Sequence, residues 1–227
     1  MAQKYEIRAE QTIDMIHQLL NRGIKKISVL MRHSERSFSE DARLEPFMGL
    51  TDAGKQLAVD FGAAIRPNLL PKLFSSIMGR CIETAYLIDK GFTKKNNQAL
   101  EHNSIQEALS PFYINHMEKV LQQVGKIGNH AFLRNWFDNR IDESIMKNPE
   151  KTSDHLTGFM IEQIKNLKEN QIALCISHDW NLFPVKEFKL GLAHETCGDV
   201  GYLEGVLFFE KENRYYITHH QSDPVLL

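Results

Sequence analysis

The chain has 227 residues, enough for one large domain or for one domain with a sizeable insertion. Its net charge of −2 provides no bulk attraction to nucleic acid or to an anionic membrane, so any anion site must be a local concentration of positive charge. We see no secretory signal and no apolar run of the roughly 18 residues that a membrane span needs, and the three cysteines are too few for a disulfide framework. We therefore expect a cytoplasmic protein without nucleic-acid or membrane partners.

Hydrophobic periodicity predicts helices and strands that alternate along the chain. The predicted elements are helix 8–20, strand 27–31, helix 51–65, strand 73–77, helix 80–91, helix 152–168, strand 172–177 and a terminal hairpin formed by 202–210 and 215–220. Thr51 is expected to cap the helix that begins there. Gly91 is expected to close its helix, and the polar residues 92–103 to form an exposed loop. Between 111 and 146, Gly125 and Gly128 interrupt an irregular helical pattern, which predicts an insertion of at least two helices.

Alternating strands and helices indicate an α/β fold with a largely parallel sheet. In such sheets ligands bind beyond the carboxyl ends of the strands. Three predicted strands are followed there by residues that bind anions or transfer protons. These residues are Arg32, His33 and Arg36 after the first, Arg80 after the second, and His178 and Asp179 after the third.

This set of residues is suited to the chemistry of a phosphate monoester. A dianionic phosphoryl group requires several fixed cations, and the planar guanidinium fork of arginine matches its oxygens. A neutral imidazole can attack phosphorus and form a phosphohistidine, and nearby arginines should lower its pKa and so keep it neutral. A carboxylic acid must then protonate the leaving oxygen and activate water.

The segments LMRHSER, LTDAG, SSIMGRCIETA and CISHD resemble, in order, the landmarks of the histidine phosphatase superfamily, which includes phosphoglycerate mutases and histidine acid phosphatases. The resemblance covers about residues 27–179. It implies a three-layer α/β/α sandwich with a central, largely parallel mixed sheet, a phosphohistidine intermediate and no metal or other cofactor. It assigns the nucleophile to His33, the phosphate-binding arginines to Arg32 and Arg80, and the second pocket histidine to His178.

Two motifs, RHxxR and HD, resemble the acid-phosphatase branch more closely. They make Arg36 an additional phosphate-binding arginine and Asp179 the proton donor. Glu107 competes for the donor role, because mutase-like members place a glutamate between the second arginine and the second histidine. The chain departs from the pattern at Ser34, which replaces the usual glycine and is expected to bring a β-carbon close to the nucleophile.

We therefore expect residues 1–227 to form a single histidine phosphatase-like domain with a helical cap at about 98–151. The expected activity is a metal-independent phosphomonoesterase acting on a small phosphorylated metabolite or a phosphoprotein. Two alternatives stay open: a phosphoglycerate-type phosphomutase, and a catalytically silent module that binds a phosphorylated ligand. The sequence indicates neither the substrate nor the oligomeric state.

Overall fold

The computed structural model describes residues 5–41 and 43–227. Its strands are β1 Lys26–Arg32, β2 Leu70–Ser75, β3 Ser104–Ile105, β4 Gln171–Ser177, β5 Gly205–Lys211, β6 Arg214–His219 and β7 Ser222–Leu226. Its helices are α1 Ala9–Asn21, α2 Asp52–Ala64, α3 Gly79–Asn96, α4 Met117–Ile127, α5 Asn129–Phe137, α6 Pro149–Asn166, α7 Asp179–Leu190 and α8 His194–Cys197. Across the described ranges, no helix combines the length and the hydropathy needed to cross a membrane.

The strands form one mixed sheet in the order β3-β2-β4-β1-β5-β6-β7. The four strands from β3 to β1 are mutually parallel, and β5, β6 and β7 add antiparallel pairs at the other side. Alternate residues of β1 lie in two cores: Ile27, Val29 and Met31 pack with α1–α3, whereas Leu30 packs with the residues of α4–α7. The predicted three-layer sandwich is therefore confirmed.

The register of the parallel strands brings their carboxyl ends together. Arg32 is level with Ser177 in the β1–β4 pair, and Ser75 is level with Ile176 in the β2–β4 pair. The first residue beyond each strand continues the alignment, because His33 N donates to Ser177 O and Ser76 N donates to Ile176 O, both at 3.0 Å. The three segments that follow these strands consequently share one edge of the sheet.

Gly91 does not close its helix, contrary to the sequence prediction. Helix α3 continues to Asn96 and ends at Asn97, whose φ of 50° is left-handed, so residues 92–96 are helical rather than loop. Gly91 instead faces α2, where a Cβ atom would lie 1.9 Å from the Val59 carbonyl oxygen. The glycine is required by the close contact between the α2 and α3 backbones.

The segment predicted to be a helical insertion contains two helices, α4 and α5, joined at Gly128, whose φ is 82°. Gly125 lies inside α4 and does not interrupt it, so that part of the prediction was wrong. The proposed cap, residues 98–151, begins with the short strand β3, which extends the sheet edge and is followed by a 3-10 turn at Glu107–Leu109. Neither β3 nor β7 was predicted from the sequence.

Candidate active site

Two histidines and one arginine form the centre of the site. The rings of His33 and His178 are 5.6 Å apart and nearly perpendicular. Arg80 reaches both: its Nε donates to His33 Nε2 at 3.1 Å, and its Nη2 lies 3.4 Å from His178 Nδ1. His33 Nδ1 lies 2.7 Å from the Ser34 carbonyl oxygen, to which it can only donate. The bond from Arg80 Nε and the bond to the Ser34 carbonyl oxygen fix the His33 tautomer, with the proton on Nδ1 and a lone pair on Nε2.

Both histidines are held in the neutral form. Burial lowers the pKa of His33 well below its ordinary value of 6.5, and the charge of Arg32 contributes next. Burial, followed by the charge of Arg80, lowers the pKa of His178 to about 3. The neighbouring arginines act as the sequence predicted, but desolvation is the larger cause. A neutral imidazole whose Nε2 carries no proton is the form that can act as a nucleophile.

Arg32 is buried and fixed in orientation from four sides. Its Nη1 donates to the Val200 carbonyl oxygen at 2.6 Å, and its Nη2 lies 3.1 Å from Asp179 Oδ2. Tyr5 and Tyr202 stack on the guanidinium, with ring centroids at 4.0 and 4.4 Å from Cζ. Its Nε is buried without a hydrogen-bond partner among the described residues. The two tyrosines, which we call the aromatic clamp, were not identified from the sequence.

Arg36 lies at the edge of the site and is already paired. Its guanidinium forms an ion pair with Glu45, donates to the Ser37 carbonyl oxygen at 2.9 Å and stacks on Phe38 at 4.1 Å. It makes no hydrogen bond to either histidine within the described residues. Glu45 was not identified from the sequence, because the 36–45 pairing depends on how the loop folds back.

The structure places the two candidate proton donors differently. Asp179 is the first residue of α7, lies in contact with Arg32 and accepts a hydrogen bond from Trp180 N at 2.8 Å. Glu107 is exposed on its 3-10 turn, and its carboxylate has no ion pair or hydrogen bond in the described parts of the chain. Asp179 therefore contacts the histidine–arginine cluster through Arg32, whereas Glu107 makes no hydrogen bond or ion pair with it among the described residues.

Ser34 supports the loop after β1. Its hydroxyl donates to the Gly54 carbonyl oxygen at 2.7 Å, so the side chain engages α2 and is buried there. Gly54 is close to the same loop, since a Cβ at this position would lie 2.0 Å from the Glu35 carbonyl oxygen. Thr51 caps α2 as predicted, accepting from Gly54 N at 2.9 Å, and its hydroxyl donates to Glu35 at 2.7 Å. The LTDAG segment thus fixes the loop that contains His33.

Within residues 5–41 and 43–227, two other groups of side chains have the residue types of a metal site: Glu204 with His219 and His220, and Glu187 with His194 and Glu195. Each already contains a protein cation. The Lys186 ammonium is 2.8 Å from Glu204, and the Arg134 guanidinium forms ion pairs with Glu187 at 3.0 Å and Glu195 at 2.6 Å. We assign both groups to ion pairing within the protein.

The sequence matches no protein-family model and no curated protein. Solved structures do match. A phosphoglycerate mutase from Bacillus anthracis str. Sterne is 16% identical with a TM-score of 0.56, covering 87% of this chain and 94% of its own. A mycobacterial glucosyl-3-phosphoglycerate phosphatase is 14% identical with a TM-score of 0.57, covering 89% and 97%. A phosphoserine phosphatase from Entamoeba histolytica, solved with phosphoserine, is 15% identical with a TM-score of 0.52, covering 88% and 94%.

At these identities the similarity is one of fold. It extends over most of both chains and is shared by a mutase and by phosphatases. The chain therefore has the phosphoglycerate mutase-like α/β fold that the sequence motifs implied.

Proposed function

We propose that this protein is a phosphomonoesterase of the histidine phosphatase superfamily that acts through a phosphohistidine on His33. One observation supports the proposal above all others. A neutral imidazole, with its Nε2 lone pair directed at Arg80, lies among arginines at the carboxyl ends of parallel strands. This arrangement combines an available nucleophile with the positive charge that a phosphoryl group requires.

The reaction proceeds in two displacements. His33 Nε2 attacks phosphorus, the P–N bond forms, and the P–O bond to the leaving group breaks while Asp179, in its protonated carboxylic acid form, donates a proton to the departing oxygen. Asp179, now a carboxylate, takes a proton from water; the hydroxide oxygen attacks phosphorus, and the P–N bond breaks to release phosphate. Arg32 and Arg80 bind the non-bridging oxygens, His178 lines the same pocket, and Arg36 joins them when it leaves Glu45.

We infer a small phosphorylated metabolite as the substrate. Two proteins of the same fold are named for such compounds, glucosyl-3-phosphoglycerate and phosphoserine. The segment 98–151 is our proposed substrate cap. It is anchored at the catalytic edge, because Ser177 Oγ and Asn181 Nδ2 donate to the Leu109 carbonyl oxygen at 2.7 and 3.0 Å. Glu107 lies two residues before this anchor and would line the entrance.

The assignment of the acid is tested by varying the leaving group. Asp179→Asn should slow alkyl phosphates by about 10²–10⁴-fold, the usual value of general acid catalysis, because an alkoxide needs the proton in the transition state. The rate of nitrophenyl phosphate hydrolysis should fall far less, since nitrophenolate departs without a proton. Glu107→Gln is the matched control and should show a modest defect that is equal for both esters. If the two variants exchange these behaviours, Glu107 is the acid.

Activity should also persist in a chelator, because the arginines supply the charge that a metal would otherwise provide. Loss of activity on dialysis against EDTA, with recovery on adding Mg²⁺ or Zn²⁺, would contradict this part of the proposal. Inorganic phosphate and vanadate should inhibit competitively, and a non-competitive pattern would place the anion site elsewhere.

A further inference from the structure

Three exposed apolar side chains border the mouth of the site, and we propose that they select phosphomonoesters with an apolar leaving group. These residues, Leu44, Phe47 and Ile77, are called the apolar lip. The inference rests on the proposed function and narrows it: the alcohol released would be an alkyl or aryl alcohol rather than a sugar or a carboxylate-bearing alcohol.

The turn that contains Leu44 and Phe47 is fixed directly against a catalytic arginine. Arg80 Nη1 lies 3.4 Å from both the Glu45 and the Pro46 carbonyl oxygens. The same turn is closed by a bond from Phe47 N to Leu44 O at 2.9 Å. It is held at its other side by the ion pair between Glu45 and Arg36. Since Arg80 Nε contacts His33 Nε2, one guanidinium joins the nucleophile to this turn.

Ile77 approaches the same arginine from the end of β2. It follows Ser76, whose hydroxyl lies 2.9 Å from His178 Nε2, and it precedes Arg80 by three residues. Its backbone nitrogen donates to Ser110 Oγ at 3.3 Å, which ties it to the proposed cap. The lip therefore has two sides, one from the 44–47 turn and one from the β2–α3 connection.

All three lip residues are exposed to solvent, and Phe47 is the most exposed large apolar side chain among the described residues. Phe47 is 79% exposed, Ile77 59% and Leu44 49%. By contrast, His33 is 2% exposed, whereas Arg80 between them is only partly buried. Exposed apolar groups that gather at one place on a surface commonly mark a binding site. Here they lie at the boundary between the buried nucleophile and solvent.

The geometry of in-line attack directs the leaving group toward the boundary between the buried nucleophile and solvent. In-line displacement places the leaving oxygen on the side of phosphorus opposite His33 Nε2. Because His33 is enclosed, the rest of the substrate must extend outward past Arg80, where the lip begins. In the described part of the loop, Arg43 is paired with Asp41, and Arg36, which pairs with Glu45, is the arginine proposed to turn to the phosphoryl group. Neither is left for an anionic group on the alcohol, whereas an alkyl or aryl group would cover the apolar surface of the lip.

The test is a homologous series of primary alkyl phosphates from propyl to hexyl, compared with glycerol phosphate. The leaving-group pKa hardly changes along the series, so chain length varies only the apolar area. We expect kcat/KM to rise by about two- to fourfold for each added methylene until the lip is covered. A rise of about fourfold corresponds to a fully buried methylene group. The matching alkylphosphonates, which cannot be hydrolysed, should bind more tightly with the same trend in a calorimetric titration.

Substitutions in the lip test whether the dependence of kcat/KM on chain length arises there. Phe47→Ser and Ile77→Ser should each reduce the ratio of kcat/KM for hexyl over propyl phosphate by about threefold or more. Val225→Ser is the matched control, since Val225 is exposed on β7 at the opposite edge of the sheet and should leave the ratio unchanged. A flat series with an active enzyme, or an unchanged ratio in both lip variants, would overturn the lip alone. Failure to hydrolyse any ester, with no label on His33, would overturn the proposed function and the lip with it.

Discussion

Two polar clusters in the described part of the chain have their charges organised in opposite ways. In one, a buried carboxylate is matched by a cation: Glu204 Oε1 accepts from Lys186 and His219, both at 2.8 Å, and Glu204 Oε2 accepts from Gly201 N at 2.6 Å. In the other, three arginines face two carboxylates, Asp179 and Glu45, and Arg32 Nε has no partner among the described residues.

The two clusters differ in charge balance. In the Lys186 cluster the ammonium and the Glu204 carboxylate balance each other, so this pair stabilises the fold without a charged ligand. The arginine cluster has an excess of positive charge and an unused donor, which a phosphoryl group can satisfy. The clusters are neighbours, since Arg32 N donates to the Glu204 carbonyl oxygen at 3.0 Å. Proximity alone would therefore not separate the structural cluster from the functional one.

Lys186→Met is the substitution expected to destabilise the Lys186 cluster most. It leaves the Glu204 carboxylate buried without its cation, and such losses typically cost about 3–5 kcal/mol of unfolding free energy. Urea denaturation should measure the effect. Lys189→Met, on the same helix, is the control, because its partner Asp154 is exposed and such pairs contribute at most about 1 kcal/mol. Equal losses in both variants would show that the Lys186 pair has no special role.

Removing a cation from the arginine cluster should lower the activity strongly and the unfolding free energy only slightly. Arg80→Ala is expected to lower kcat/KM by about 10²–10³-fold, the usual cost of losing one donor to a developing negative charge. Its unfolding free energy should fall by no more than about 1 kcal/mol, because the change also relieves repulsion among the arginines. If Arg80→Ala destabilises the fold as much as Lys186→Met does, the two clusters do not differ in the way described.

The contribution of the tyrosine rings to phosphate binding can be measured separately from that of their hydroxyl groups. Burial raises the pKa of Tyr5 to about 12, so its hydroxyl stays neutral and the ring face is what contacts Arg32. Tyr5→Leu should weaken binding of inorganic phosphate by about 2- to 30-fold, the range of cation–π energies from exposed to desolvated sites. Tyr5→Phe keeps the ring and should bind phosphate like the wild type. Equal losses in the two variants would assign the effect to the hydroxyl group instead.

The neutral histidines predict a dependence of stability on pH. An unfolded histidine binds a proton below about pH 6.5, whereas folded His178, with a pKa of about 3, does not, and folded His33 is shifted in the same direction. Stability should therefore be fully present above pH 6.5 and fall as the pH decreases below it, by about 1 kcal/mol per pH unit for each histidine. His178→Gln should make this slope shallower in urea titrations between pH 6.5 and 4.5. An unchanged slope would indicate that His178 is protonated in the folded state.

Sequence reasoning succeeded where the signal is local. The strand ends that carry His33, Arg80 and His178, and the Thr51 cap, depend on residues adjacent in the chain, and all were predicted. It failed where distant segments meet. Tyr5 and Tyr202 are far apart in sequence, and only the fold places both on Arg32.

Gly91 shows how a local signal can mislead. Glycine favours a helix end in isolation, but here the contact with Val59 on another helix determines its role. The same limit applies to the pKa of His33: the neighbouring arginines could be read from the sequence, whereas its complete burial could not. The pairing of Arg36 with Glu45 likewise depends on the fold of the loop between them.

The proposed mechanism requires His33 to receive the phosphoryl group. The most direct measurement mixes the Asp179→Asn variant with radiolabelled aryl phosphate, quenches in alkaline denaturant to preserve phosphohistidine, and maps the labelled peptide. Without the carboxylate that activates water, the phosphoenzyme should accumulate, with the label on His33 and none on a His33→Ala, Asp179→Asn double variant. Label on Ser177 or Cys175 would contradict the phosphohistidine mechanism.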